Sequence, residues 1–236
     1  MPISTNTYQE WYQFRKRGRM SLQFEIVPVT PFQQNCSIVW CDETKEAAIV
    51  DPGGDIHLLK AKVQQLGLNV TQLLLTHGHL DHVGGTAPLA AELDVPIIGP
   101  HKDDAFWLEG LPRQSEMFGF PLTEAFAPTQ WLSEGDEITI GNQKLQVIHT
   151  PGHTPGHVIL FNDDAKVAFV GDVLFKGGVG RTDFDQGDYQ TLIDSIKGKL
   201  WPLGNDVTFV PGHGPLSTFG HERVSNPFVA DEMPLY

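Results

Sequence analysis

Short runs that alternate apolar and polar residues fill the chain after Met20, and they predict three β-strands before residue 51. The runs are QFEIVPV, NCSIVW and EAAIV. A helical period follows, with Asp55 as the N-cap and Gly67 as the residue that ends the helix. Its apolar face consists of Ile56, Leu59, Val63 and Leu66. The apolar run over residues 70–75 then predicts a buried strand, which leads directly into the densest polar cluster of the chain.

The same reasoning predicts alternating strands and helices in the rest of the chain. Residues 87–93 predict a helix and VPIIG a strand, whereas residues 101–130, with several aromatics and prolines, predict a partly helical insertion over one face. Further strands are predicted at DEITI, QKLQVIH, VILF, KVAFVG and VTFV, with a helix from about Asp188 to Leu200 and a short one near Ser217. This succession predicts an α/β fold with one compact domain over residues 21–236, preceded by an irregular extension over residues 1–20.

The composition narrows the classes of function. The chain has 236 residues, of which 40% are hydrophobic, and this suffices for a buried core. It lacks any run of about eighteen apolar residues, so a membrane-spanning helix is not predicted. The net charge of −13 argues against a general affinity for nucleic acid, whose phosphates it would repel. A small anionic substrate stays compatible, because bound metal ions reverse the local field. No protein partner is predicted.

Both cysteines, Cys36 and Cys41, lie in the segment NCSIVWCD. If that segment is a strand, their Cα atoms are about 16 Å apart, which is too far for a disulfide. We therefore expect core thiols in a reducing compartment, the cytoplasm. The first twenty residues include several basic ones but lack the apolar core of a signal peptide, which agrees with that location.

The segment THGHLDH gathers four residues of metal-binding type within six positions: His77, His79, Asp81 and His82. Imidazole and carboxylate groups bind borderline metals such as Zn²⁺, and Fe or Mn are alternatives. A loop after a buried strand allows the four side chains to converge. A lone histidine is usually a packing residue, but this spacing predicts a metal site.

Three more candidate ligands follow predicted strands: His153 in TPGHTPGH, Asp172 after KVAFVG and His213 in VPGHG. Each lies where a strand leaves the core, and loops there present functional groups on a rigid scaffold. Taken singly, Asp172 is equally well explained as a turn residue and His213 as a loop histidine. Together with the first cluster they complete a ligand set.

The motifs H-x-H-x-D-H, PGHTPGH, GD and PGHGP resemble those of the metallo-β-lactamase superfamily, and closely those of its compact bacterial glyoxalase II-like (hydroxyacylglutathione hydrolase-type) members. The resemblance runs from about residue 22 to residue 227. It implies a four-layer αββα sandwich with two divalent metal ions at one edge of the paired sheets. It implies that one metal is bound by His77, His79 and His153, that a second is bound by Asp81, His82 and His213, and that the pair is bridged by Asp172 and a hydroxide.

The resemblance further implies a metal-dependent thioester hydrolase. Its substrate would be an S-lactoylglutathione-type hydroxyacylglutathione, attacked by the metal-bridging hydroxide. Asp172 would set the metal spacing, and Asp81 would hold its metal and orient the nucleophile or accept its proton. Zinc is the expected metal. A thioester suits such a site because its thiolate leaves with little protonation, and the sequence offers no evident general acid.

Two residues outside the ligand set are candidates for supporting roles. Asp51 in DPGG matches a family motif in which an aspartate orients a ligand histidine, although it also fits the start of a turn. Arg181 lies in VLFKGGVGRTDF, which resembles the substrate loop of the compact members, and its guanidinium would pair with a substrate carboxylate. Pairing of Arg181 with Asp183 is the alternative. The other histidines match no ligand position and are interpreted as surface or packing residues: His57, His101, His149, His157 and His221.

Larger type II glyoxalases continue into a C-terminal helical domain that contacts glutathione, whereas only residues 216–236 follow PGHGP here. We therefore expect no such domain, and expect the 101–130 insertion and the Arg181 loop to contact glutathione instead. A rival interpretation is a persulfide dioxygenase acting on glutathione persulfide, with one iron held at positions matching His77, His153 and Asp172. A β-lactam hydrolase, a nuclease and a metal-stabilised binding module have less support in the sequence.

Overall fold

The computed structural model describes residues 22–232, so the predicted extension over residues 1–20 lies outside the described residues, and the domain boundary at residue 21 stays a prediction. Two six-stranded sheets form the frame. The first contains β1 to β6: Leu22–Val29, Gln34–Cys41, Glu46–Val50, Asn69–Leu74, Ile97–His101 and Gln130–Leu132. The second contains β7 to β10, β13 and β14: Glu137–Ile140, Gln143–His149, Val158–Asn162, Val167–Gly171, Thr208–Pro211 and Ser217–Thr218. A small hairpin outside both consists of β11 (Leu174–Phe175) and β12 (Gly178–Val179).

Connection length decides the strand directions. β1, β2 and β3 are antiparallel neighbours joined by short turns. β4, β5 and β6 continue the first sheet in parallel, which requires crossovers through helices. In the second sheet, β7 to β10 are successively antiparallel and β13 lies parallel to β10. The helices α1 to α7 are Ile56–Leu66, Leu80–Val83, Thr86–Leu93, Ala105–Glu109, Leu111–Phe118, Tyr189–Ser195 and Phe219–Ser225.

Three buried apolar layers separate the sheets and the helices. The layer between the sheets draws residues from both, including Phe24 and Phe169, whose rings meet edge to face at 5.5 Å. A second layer, with Leu59, lies between the first sheet and α1 to α5, and a third, with Phe219, lies between the second sheet and α6 and α7. The order helix, sheet, sheet, helix confirms the predicted four-layer αββα sandwich.

The helix predicted between Asp55 and Gly67 is confirmed, since Gly67 ends α1 with a φ of 64°. The predicted capping by the Asp55 side chain is wrong. Asp55 has a φ of 46° and its carboxylate makes no cap hydrogen bond. Oδ2 accepts the amide hydrogen of Thr30 at 2.8 Å instead, so the side chain ties the β1–β2 turn to the start of α1.

The other predicted helices are present with shifted ends. Asp188 caps α6 by accepting the Thr191 amide hydrogen at 2.7 Å, and the helix continues as a π-turn over Ile196–Leu200. The helix expected near Ser217 begins at Phe219. The 101–130 insertion is helical over Lys102–Asp104, α4 and α5, and then runs without regular structure to β6.

Cys36 and Cys41 lie on β2, and both are buried and free, as predicted. Their shared strand keeps them apart, because five residues of extended chain exceed the span of a disulfide. Among residues 22–232, none of the helices has the length and apolar character needed to span a membrane.

Asn35, in the first β-hairpin, fixes the loop that carries His213 through hydrogen bonds to its backbone. The backbone amide of Asn35, on β2, donates to the carbonyl oxygen of Gly212 at 2.7 Å. Its side-chain Nδ2 donates to the carbonyl oxygens of Pro211 and Gly214, at 3.0 and 2.8 Å. The loop that carries His213 is therefore fixed by a residue near the other end of the described chain.

Candidate metal centre

The predicted ligands all lie at one edge of the paired sheets. The THGHLDH segment follows β4, while His153, Asp172 and His213 come after β8, β10 and β13. These last three strands point in the same direction within the second sheet, so their C-terminal ends present the three side chains together. The strands that carry the apolar layers thereby place the polar residues.

A first triad consists of His77, His79 and His153, all buried. The Nδ1 atom of His79 lies 3.1 Å from Nε2 of His77 and 3.0 Å from Nε2 of His153. An ion about 2.1 Å from each of three tetrahedrally placed nitrogens sets them roughly 3.4 Å apart. The three lone pairs are therefore close to the separation that a single metal ion requires.

A second triad consists of Asp81, His82 and His213. The Oδ2 atom of Asp81 lies 3.1 Å from Nε2 of His213 and 3.9 Å from Nε2 of His82. His82 is completely buried, whereas the side chains of Asp81 and His213 are 17% and 30% exposed. The second triad therefore faces the solvent-accessible side of the centre.

Asp172 lies between the two triads. Its Oδ1 atom is 3.4 Å from Nε2 of His82, in the second triad. Its Oδ2 atom is 3.8 Å from Nε2 of His153 and 3.8 Å from Nε2 of His213, one from each triad. A carboxylate in this position can contact both metal ions of a pair.

Some of the donor atoms lack hydrogen-bond partners, and this also fits a bound metal pair. Within the described range 22–232, Nε2 of His82 and Oδ1 of Asp172 are buried and have no hydrogen-bond partner. Buried polar atoms are normally paired, and an unpaired one is costly. The two atoms lie 3.4 Å from each other, and a cation bound by both would satisfy them.

The protonation states of the first triad suit metal binding. Burial lowers the pKa of all three imidazoles of the first triad, which keeps them neutral, the form that binds a metal. For Asp172, burial raises the pKa but the charge of His82 outweighs this, and the net pKa is lowered. For His82, burial lowers the pKa, yet Asp172 and Asp81 raise it well above its ordinary value. The carboxylates thus create a strongly negative field in the second triad.

Two of the predicted ligand imidazoles, His82 and His153, are held by the nitrogen that faces away from the metal position. Nδ1 of His82 lies 2.9 Å from Oδ2 of Asp51, whose carboxylate also accepts the Thr76 amide hydrogen at 2.8 Å. Nδ1 of His153 lies 2.7 Å from the backbone oxygen of Arg181. These contacts decide which nitrogen of each ring faces the metal position.

His157 has a closer relation to the site than the sequence suggested. It is not part of either triad, as expected, but it is completely buried and stacks on His77 with ring centroids 4.7 Å apart. Its Nε2 accepts the backbone amide hydrogen of Asp172 at 3.1 Å. Its spacing of four residues after His153 was visible in the sequence, but only the fold reveals these contacts.

Two half-buried aromatic side chains flank the first triad. Trp107, on α4, meets the ring of His79 edge to face at 4.5 Å, and Phe184 meets the same ring at 4.8 Å. The guanidinium of Arg181 lies over Phe184 at 4.6 Å and forms two hydrogen bonds with Asp183, at 2.9 and 2.7 Å. The alternative pairing of Arg181 is therefore present, and the Arg181 side chain, 69% exposed, lies on the rim.

A further group of possible ligands, His101, Asp103 and His149, lies outside this centre. The rings of His101 and His149 stack at 4.3 Å with an angle of 22°. Because imidazole lone pairs lie in the ring plane, stacked rings do not direct them to a common ion. The group is better explained by packing.

Comparison with known proteins agrees with this geometry. The BLEG-1 B3 metallo-beta-lactamase structure is 37% identical, with a TM-score of 0.81, covering 88% of this chain and 99% of that one. The structure of TTHA1623 in a di-iron-bound form is also 37% identical, with a TM-score of 0.80, covering 87% of this chain and 100% of that one. The hydroxyacylglutathione hydrolase GloC of Haemophilus influenzae is 50% identical over 209 residues, 88% of this chain and 98% of that protein.

The family model described as the metallo-beta-lactamase superfamily matches residues 29–213, a range that begins at the end of β1 and ends on the last ligand. That range includes both triads and Asp172. The sequence match, the αββα frame and the ligand geometry agree, and the chain belongs to the metallo-beta-lactamase superfamily.

Proposed function

We propose that this chain is a metal-dependent thioester hydrolase that acts on S-lactoylglutathione-type hydroxyacylglutathiones. The observation that carries the proposal is the convergence of two complete ligand triads on either side of Asp172. The high identity to a hydroxyacylglutathione hydrolase along almost the full length of that protein supports the substrate class. We also propose a cytoplasmic location, because both cysteines are free.

Two divalent metal ions would be held by these residues. Zinc is our first candidate because imidazole and carboxylate ligands suit it, and iron is the second because a related structure is di-iron-bound. When bound, such ions lower the pKa of a coordinated water to about 7 and polarise a carbonyl group. The first triad would hold one ion and the second triad the other, with Asp172 shared between them.

The chain's own residues have distinct tasks in this proposal. Asp172 keeps the two triads at a fixed separation, because its carboxylate lies within 4 Å of ligands from both: Oδ1 is near His82, and Oδ2 is 3.8 Å from both His153 and His213. Asp81 belongs to the second triad and is partly exposed, so its carboxylate is placed to orient the attacking water and to accept its proton. Burial raises the pKa of Asp81, but His82 and His213 lower it overall, which keeps the carboxylate ionised.

The rim would position the substrate. Phe184 and Trp107 provide an apolar wall next to His79, against which the acyl and sulfur portion of a thioester can pack. Arg181 lies over Phe184 with its guanidinium in solvent, and a glutathione carboxylate would compete with Asp183 for it. A thiolate leaving group needs little protonation, so no general acid is required at the centre.

The test is metal quantification of the purified protein together with hydrolysis of S-lactoylglutathione. We expect two metal ions per chain and release of the glutathione thiol. A single iron with oxygen uptake on glutathione persulfide would overturn the proposal in favour of the dioxygenase. Two ions without turnover of thioester, phosphodiester or lactam substrates would favour a binding module.

The variant His213→Ala separates the two enzymes. It removes one ligand of the second triad and leaves the residues that the rival mechanism uses, His77, His153 and Asp172. A dinuclear hydrolase should lose most of its turnover in this variant. A mononuclear iron dioxygenase should retain its oxygen uptake, and that result would defeat the hydrolase.

A further inference from the structure

A buried carboxylate outside both triads lies directly behind the first one. Asp104 has no solvent exposure and ends the 3-10 turn Lys102–Asp104 at the start of α4. Burial raises its pKa to about 7, against the effect of its hydrogen bonds, so an ionised group here has a real desolvation cost. The hydrogen bonds of Asp104 must therefore explain why a carboxylate occupies this buried position.

Three donors from two ligand loops converge on Asp104. Its Oδ2 accepts the backbone amide hydrogen of Gly78 and the hydroxyl hydrogen of Thr154, both at 2.8 Å. Its Oδ1 accepts the backbone amide hydrogen of Gly156 at 2.6 Å. Gly78 separates the ligands His77 and His79, and Thr154 directly follows the ligand His153. One carboxylate therefore joins the two chain segments that carry the first triad.

The packing around this contact leaves no free space. A Cβ atom on Gly156 would lie 2.7 Å from Oδ1 of Asp104, closer than real Cβ contacts allow. A glycine is thus needed for the carboxylate to approach the backbone of the His153 loop. The close fit indicates that the position of the carboxylate is a specific part of the site, and not a chance result of burial.

We infer that Asp104 is the positioning residue of the first metal site, joining the His77–His79 loop to the His153 loop so that the triad is preformed. It binds two backbone amides and one hydroxyl of the ligand loops and forms no hydrogen bond with the imidazoles. Asp51 has a different place, because its carboxylate contacts the ring of His82 in the second triad. The centre therefore has one buried carboxylate behind each triad.

The chemistry of the three donors requires an acceptor-only group. A carboxylate has lone pairs for all three, whereas an asparagine presents an NH₂ group to at least one N–H or O–H donor. The Asp104→Asn variant therefore keeps the shape of the side chain and opposes one of the three contacts. Asp103→Asn is a matched control, since Asp103 is adjacent and its side chain is 59% exposed.

The experiment is a titration of metal-free protein with Zn²⁺ alone, with stepwise affinities obtained by competition with a chromophoric chelator. We expect Asp104→Asn to weaken one of the two binding steps about 10- to 100-fold and to leave the other within a few-fold, while Asp103→Asn binds like the wild type. Unchanged affinities in folded Asp104→Asn would overturn the inference. Equal weakening of both steps together with a lower melting temperature of the metal-free protein would also overturn it, as a merely structural effect.

If Asp104→Asn does not fold, Thr154→Val decides the question. It removes one of the three donors with little change of volume, and we expect a several-fold weakening of the same step. Wild-type affinity in this variant would refute the inference. The inference rests on the metal pair of the proposed function but not on its substrate, so the zinc titration and the thioester assay can fail independently.

Discussion

The Nε2 atom of His157 accepts a hydrogen bond from the backbone amide of Asp172, the residue that lies between the two triads. Because an amide N–H can only donate, Nε2 must be unprotonated and the neutral ring must carry its proton on Nδ1. Nδ1 faces the hydroxyl of Thr150 at 3.4 Å. A second proton on His157 would set two N–H groups against each other, so this ring has to stay neutral in the folded protein.

This arrangement predicts how the stability of the metal-free protein depends on pH. Burial, followed by the charge of His153, lowers the pKa of His157 well below its ordinary value. The unfolded chain takes up a proton near pH 6.5, whereas folded His157 does not. The contribution of neutral His157 to the free energy of unfolding is therefore fully present above about pH 6.5, and it is lost as the pH falls below that value.

Replacing His157 with glutamine removes this titration and keeps an acceptor for the amide. Urea unfolding of metal-free His157→Gln between pH 7.5 and 5 should show a shallower loss of stability than the wild type. The slopes should differ by up to about 1.4 kcal/mol per pH unit, the value for one proton. Parallel curves for the two proteins would contradict the prediction.

The variant Asp172→Ala should disrupt the metal pair far more than the fold. Metal content should fall below two ions per chain, and kcat/KM for S-lactoylglutathione should fall roughly 100- to 1000-fold, the scale for losing an electrostatic group at a reaction centre. The control is Asp163→Ala, because the Asp163 side chain is 76% exposed and pairs only locally with Lys166. Metal analysis and kinetics decide, and normal values in Asp172→Ala would refute the bridging role.

Arg181→Ala tests the proposed substrate contact. If its guanidinium binds a glutathione carboxylate, the variant should raise KM about 10-fold or more with kcat little changed. Asp183→Asn is the informative partner variant, because it releases Arg181 from its ion pair and should leave KM equal or lower. Wild-type KM in both variants would mean that the ion pair with Asp183 is the whole role of Arg181.

The chain passes so close to the ligands at Gly212 that only glycine fits. A Cβ atom there would overlap Oδ1 of Asp172 and lie 2.6 Å from Cε1 of His82. Gly212→Ala should therefore displace these two side chains, with loss of metal and at least about 100-fold lower activity. Gly198→Ala is the control, since a Cβ there meets nothing within 4 Å and should be neutral or stabilise by about 0.5 kcal/mol. Metal content and thermal unfolding of both variants provide the test.

The sequence predicted the strands of the frame, and which polar residues converge, because strand periodicity and glycine-flanked polar residues are local signals. His153, Asp172 and His213 each follow an apolar run directly, and the structure brings all three to one edge. The alternation of periods predicted only an α/β fold, and the order of the four layers came from the resemblance to the metallo-β-lactamase superfamily. The prediction that Asp55 caps the helix was wrong because its carboxylate accepts the amide hydrogen of the distant Thr30. Local N-cap preferences do not predict such a long-range contact.

The hydrogen bonds that support the site could not be predicted from local sequence signals. His157 was interpreted from the sequence as a surface or packing residue, Asp104 was not singled out, and the partners of both lie in other segments. Hydrogen-bond partners of this kind depend on the approach of loops that only the folded sheets bring together. For Arg181, two pairings were equally compatible with the sequence, and the pairing with Asp183 is the one that the structure contains.

The hydrogen bonds from Asn35 to the loop around His213 constrain the order in which the chain folds during its synthesis. A nascent chain emerges from the ribosome N-terminus first, and six of the seven predicted ligands precede β13. Until residues 211–214 have been added, Asn35 lacks the carbonyl groups that it binds and the second triad lacks its third member. Completion of the second triad is therefore a late step in the folding of residues 22–232, because it requires the segment that follows β13.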